Sequence, residues 1–198
     1  MLIRRYRRTP KWGRLAPVAI ALAAGGPAGA ATKFFCGTGS RGGPGAPWAD
    51  AYTNPQSALA RAMPGDEVWV AEGTYRPASP GGDRAASFFL KNGVAVYGGF
   101  AGTETLRSQR DWTAHQTILS GDLNADDGPE FANTADNSYH VTVALNVDET
   151  AILDGFIVRS GHADGPGFGA VPESKDQGSG LNIYFSTPHI ENCTFERN

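Results

Sequence analysis

The chain has 198 residues, with 17 Lys and Arg against 20 Asp and Glu, and it carries 26 Gly, 13 Pro and two Cys. The near-neutral, slightly acidic balance leaves no basic surplus for nucleic acid or an anionic membrane surface. So much Gly and Pro points to many turns and excludes a fold built on long helices.

Residues 1–30 read as a secretory signal peptide. Arg4, Arg5, Arg7, Arg8, Lys11 and Arg14 form a positive start, an apolar run follows from Leu15 to Ala24, and Ala28-Gly29-Ala30 supplies small residues for cleavage. The apolar run is shorter than the roughly 20 residues a spanning helix needs, so no stable transmembrane helix is expected after cleavage. The Arg4-Arg5 pair is followed by Arg7 and Arg8 where a twin-arginine signal has apolar residues. Removal of the leader leaves eleven basic against 20 acidic residues, a net charge of −9. The expected location is secreted, extracellular or at the outer cell surface.

A second segment, 31–65, holds an N-terminal strand, a loop and a short capping helix. The strand covers 33–36, and a Gly- and Pro-rich loop runs on to Trp48. Asn54 suits an N-cap, Pro55 the first helical position, and Pro64-Gly65 a stop. Ala58, Leu59, Ala62 and Met63 then share a face. So short a helix needs an apolar surface to cover, such as the open end of a stack of strands.

Residues 66–198 carry short alternating strands. Val68 and Val70 share one face of a strand that Gly73 ends, and the stretch 77–83 is a polar, exposed loop. Val94 and Val96 alternate with Ala95 and Tyr97 until Gly98-Gly99 halts the strand at a corner. Further strands lie at 117–121, at Val141, Val143 and Leu145, and at Leu181, Ile183 and Phe185, each half-buried. Leu153-Asp154-Gly155-Phe156-Ile157-Val158 aligns with Ile190-Glu191-Asn192-Cys193-Thr194-Phe195, 37 positions later, with 161–178 as an insertion. Gly155 and Asn192 fall at a corner where a left-handed backbone costs these residue types least.

Several segments together resemble secreted bacterial right-handed parallel β-helix repeat proteins, in the broad superfamily that includes the pectate lyases. They are Gly65-Asp66-Glu67-Val68-Trp69-Val70-Ala71-Glu72-Gly73-Thr74-Tyr75, Val96-Tyr97-Gly98-Gly99-Phe100-Ala101-Gly102-Thr103-Glu104, Gln109-Arg110-Asp111-Trp112, Leu119-Ser120-Gly121-Asp122, Leu153-Asp154-Gly155-Phe156 and Asn192-Cys193-Thr194-Phe195. They also resemble the repeats of polymorphic outer-membrane proteins, which act as adhesins. The resemblance covers residues 34–198. It implies an all-β solenoid, a right-handed parallel β-helix with a short N-terminal capping helix and β-helix rungs over 66–198. The chain stops after a rung-like unit, which reads as a truncated C-terminus, since solenoids normally end in a cap.

Asp122-Leu123-Asn124-Ala125-Asp126 places oxygen ligands at alternate positions, as calcium loops do, so Asp122, Asn124 and Asp126 are the candidate ligands and calcium the candidate cofactor. The competing reading is a polar loop whose Asp and Asn side chains stabilise their own turns. Arg110-Asp111, Arg159 and the Asp122 to Asp127 cluster contain residue types that lyases and hydrolases use, but their spacing fixes no catalytic set. Arg110 beside Asp111 reads as a loop ion pair.

His115, His140, His162 and His189 show no metal-ligand spacing and read as satisfied or exposed. Trp48, Trp69, Tyr75, Tyr97 and Trp112 read as packing first and as a sugar-stacking platform second. Stacked coils would hold Cys36 and Cys193 several rungs apart, beyond the roughly 7 Å between Cα atoms that a disulfide spans, and Cys193 reads as a small buried hydrophobe. The expected function is an exported extracellular or cell-surface β-helix scaffold that binds glycan or a partner surface without catalysis. The alternative is the N-terminal portion of a polysaccharide lyase or glycoside hydrolase whose active rungs lie beyond residue 198.

Overall fold

A computed structural model of the protein describes residues 32–35 as backbone, and 48–53, 55–167 and 174–198. The leader read over 1–30, Cys36 and Asn54 lie outside the described residues. Among those described, the chain is mostly β, with twelve strands in three parallel sheets and one α-helix. No described helix is long and apolar enough to cross a membrane.

The first sheet has the order β1 (Thr32–Phe35), β2 (Glu67–Ala71), β5 (Ala95–Phe100), β8 (Ile152–Asp154) and β11 (His189–Glu191). A second sheet lines up β3 (Gly73–Tyr75), β6 (Thr117–Ser120), β9 (Phe156–Arg159) and β12 (Thr194–Glu196), and a third β4 (Phe88–Phe89), β7 (Thr142–Leu145) and β10 (Leu181–Tyr184). From β2 onward the chain therefore visits the three sheets in strict rotation. Parallel neighbours need long crossovers, and from β2 onward each crossover runs through one strand of each of the other two sheets.

Pairing follows the internal repeat. Leu153 lies opposite Ile190 and Asp154 opposite Glu191, then Ile157 opposite Thr194 and Val158 opposite Phe195. One repeat earlier, Val96 lies opposite Leu153. The two corner residues adopt positive φ, 85° at Gly155 and 49° at Asn192.

Inward-facing side chains form one core of Val68, Val70, Phe88, Val96, Leu119, Ala144, Leu153, Phe156 and Val158. A side chain as completely buried as Phe88 or Leu153 contributes about 1.5–3 kcal/mol. The helix α1 (Pro55–Arg61) adds Ala58 and Leu59 to that core, together with Ala62 just beyond it. Its C-terminal carbonyls are held by Lys91, whose Nζ donates to Leu59 O at 3.0 Å and Ala62 O at 2.7 Å. Met63, expected on the buried face, is 67 % exposed. The helix has already ended there, and the Met63 N–H turns to the Asp66 carboxylate at 2.9 Å.

Two strand expectations are corrected. The Gly98-Gly99 pair does not end its strand: β5 continues to Phe100, with a register shift against β2 between Trp69 and Ala71. And β2, read as an alternating strand with Val68 and Val70 on one face, is buried on both faces. Trp69 stacks on Phe100 at 4.8 Å between ring centres and forms a second core with Tyr97 on the other side of the sheet, with Trp48 packed against it. Both faces of the first sheet are covered there, which removes the polar face that alternation implied.

Candidate functional site

Two loops leaving this frame concentrate polar chemistry. One follows β6. Ligand oxygens of Asp122, Asp126 and Asp136 all lie within 4.8 Å of one another. Asp122 is nearly buried and accepts the N–H of Asp126 on Oδ1 at 3.1 Å, while Asp136 Oδ2 accepts the N–H of Asn124 at 2.9 Å. The Asn124 side chain reaches the neighbouring loop, its Oδ1 accepting the Gly81 N–H at 3.0 Å. Burial, then the negative charges of Asp136 and Asp122, push the Asp126 carboxyl above its ordinary value. Two of the three residues read from spacing thus meet a third carboxylate, Asp136, that spacing did not reveal. It comes from a 3-10 turn, Thr134–Asp136, twelve positions beyond Asn124. Oxygen-only donors of this kind suit a hard divalent cation, whose charge would offset the mutual repulsion.

The other loop, 101–116, lies over the outer face of the first sheet. Glu104 is partly buried, which pushes its carboxyl up. That is outweighed by the N–H groups of Ala101, Gly102 and Thr103, which donate to it at 2.6–3.0 Å, and its pKa lies below the ordinary value. Arg107 bonds Glu67 Oε1 at 2.5 Å and the Tyr97 hydroxyl at 2.9 Å. Arg110 does not pair with Asp111. Its Nη2 meets Asp154 Oδ2 at 2.5 Å, with side chains only 10 % and 6 % exposed, and its Nη1 donates to the carbonyls of Gly98 and Asp154 at 3.2 Å. Asn192 Nδ2 completes the carboxylate at 2.9 Å from Oδ1. Asp111 instead accepts from the Thr113 hydroxyl at 2.6 Å and the Ala114 N–H at 3.1 Å, contacts that lower its pKa.

The glycines of β5 seat this loop. Asp111 N–H donates to Gly99 O at 2.7 Å, and a Cβ on Gly99, whose φ is +89°, would stand 2.7 Å from the Trp112 backbone. Trp112 is thereby held at the surface, 38 % exposed, with the Arg110 guanidinium 4.7 Å from its ring centre. An open cleft of ≈540 Å³ flanks it on the side of Glu67, Leu106 and Arg107, and one of ≈400 Å³ on the side of Gln116, Asn192 and Thr194.

No family model, curated protein or solved structure matches this chain.

The remaining residues singled out in the sequence fall into structural roles. Trp69, Tyr75 and Tyr97 are buried, and the Tyr75 hydroxyl donates to Ala71 O at 2.9 Å. Burial raises the Tyr97 phenol, with the Arg107 charge acting the other way. His115 meets Glu72 at 2.9 Å, His162 Nδ1 lies 2.9 Å from Thr134 O, and His189 is 3.3 Å from Glu191. His140 is nearly buried, its ring nitrogens 3.0 Å from Ser174 O and 3.3 Å from Gly178 O. The Cys193 thiol donates to Leu153 O at 3.5 Å and is pushed up by burial. Arg159, at the end of β9, lies opposite Ser120 and Glu196 in the second sheet.

Proposed function

We propose that this chain is an exported extracellular or cell-surface scaffold, folded as a right-handed parallel β-helix of the pectate-lyase-like kind, that binds glycan or a partner surface without catalysis. The fold reading is supported by the rotation of the chain through three parallel sheets and by the matched register of its repeats. One observation carries the binding reading: the 101–116 loop is tied to the strands by the nearly buried Arg110–Asp154 pair and holds an exposed indole between two clefts. Binding groups carried by loops on a rigid frame are the common arrangement for recognition. Calcium, on this reading, is held by Asp122, Asp126 and Asp136 and stiffens the loop between β6 and β7.

The test is co-sedimentation of the leader-cleaved protein with insoluble cell-wall polysaccharides and with whole bacterial cells, beside ultraviolet absorbance and reducing-end assays on a panel of soluble polysaccharides with calcium. Retention without product is the expected result. Product above a heat-killed control overturns the non-catalytic reading in favour of a lyase or hydrolase, and no retention on either material overturns binding.

A further inference from the structure

The binding reading can be taken to one cleft and one class of ligand. Among the described residues lining the ≈400 Å³ cleft beside Trp112, none is acidic or basic. Hydroxyl and amide side chains line it with the indole instead: Thr113 and Gln116 from the 101–116 loop, Asn192 from the corner and Thr194 from β12, while Thr117 is buried with its hydroxyl bonded to the strands. Across the indole, the other cleft does carry charge, but Arg107 is bonded to Glu67 and Arg110 to Asp154. An anionic ligand would have to break these pairs, one of which is nearly buried, and would meet the two carboxylates as it did so.

A neutral polyhydroxylated ligand has neither difficulty. Its apolar C–H face can cover an exposed aromatic ring, while its hydroxyls exchange hydrogen bonds with the Gln116 amide and the Thr194 hydroxyl, which both donate and accept, with the Thr113 oxygen as an acceptor, and with the Asn192 amide beyond its one bond to Asp154. The ring is also preorganised, which limits the ordering cost of binding. Asp111 is anchored to Gly99, its carboxylate ties down Thr113 and Ala114, and Arg110 packs on the indole. We propose that Trp112, Thr113, Gln116, Asn192 and Thr194 form a binding site for a neutral saccharide. The proposal rests on the glycan-binding reading above and narrows it.

Isothermal calorimetry on the full leader-cleaved chain tests it, with cellohexaose, xylohexaose and mannohexaose as neutral probes and hexagalacturonate as the acidic comparison. At least one neutral hexasaccharide is expected to bind more tightly than hexagalacturonate. Trp112→Ala should weaken that binding by at least about tenfold while Trp112→Phe keeps most of it. Gln116→Ala, at an exposed position, gives a second reading should Trp112→Ala fail to fold; a several-fold loss is expected. Tighter binding of hexagalacturonate, no binding of any neutral probe, or affinity unchanged in Trp112→Ala and Gln116→Ala overturns the proposal. Co-sedimentation with polysaccharide that persists in Trp112→Ala overturns this cleft and leaves the scaffold reading standing.

Discussion

Breaking the nearly buried Arg110–Asp154 pair should destabilise the protein strongly. Arg110→Met removes the donor on Asp154 Oδ2 and leaves a carboxylate, 6 % exposed, with the Asn192 amide on its other oxygen. It also removes the donor shared by the Gly98 and Asp154 carbonyls. An uncompensated buried charge of this kind costs about 3–5 kcal/mol, which for a chain of this size lowers Tm by roughly 6–20 °C. Replacing both partners, in Arg110→Met with Asp154→Leu, removes the charge along with its counter-charge and should cost clearly less than the two single changes added together. Urea unfolding of the four proteins gives the cycle. A cost below about 1 kcal/mol for Arg110→Met with an unchanged m-value would show that solvent screens the pair, and the account of how the 101–116 loop is seated would fall.

Other expectations follow from the same geometry. Gly99→Ala forces a Cβ against the Trp112 backbone at +89° φ and should cost about 2–4 kcal/mol, with a urea midpoint near that of the parent as the contrary result. His140 gives a pH dependence. Burial holds its pKa below the ordinary 6.5 despite the carbonyls of Gly178 and Ser174, so the unfolded chain binds the proton more readily. Its contribution is then complete above about pH 6.5 and is lost as pH falls through the lower folded value. The urea midpoint should drop between about pH 8 and pH 5, and drop less in His140→Gln; equal drops would clear His140 of the effect. Millimolar calcium should raise Tm, and the rise should vanish in Asp126→Asn and in Asp136→Asn, whereas identical melting with and without calcium removes the cation from the loop. Alkylation of Cys193 in the folded protein, followed by peptide mass spectrometry, should be much slower than after unfolding, because the thiol is held in its protonated form by burial.

Much of the strand plan was legible in the order of residues. Alternation at Val68 and Val70, the turn residues Gly155 and Asn192, and the match of 153–158 to 190–195 report short-range preferences of backbone and side chain, and these survive into the structure as register and positive φ. The tertiary structure alone decided which charges meet. Arg110 sits next to Asp111 in sequence yet bonds Asp154, 44 positions away, and Asp136 joins Asp122 and Asp126 from across a loop. It also decided that Trp69 and Tyr97 pack while Trp112 stays at the surface, and that Gly98-Gly99 seats a loop where a strand end was expected. The physical reason is common to all of these. Parallel pairing brings together residues many positions apart, and a side chain's identity says what bonds it can make but not which neighbour the pairing will deliver.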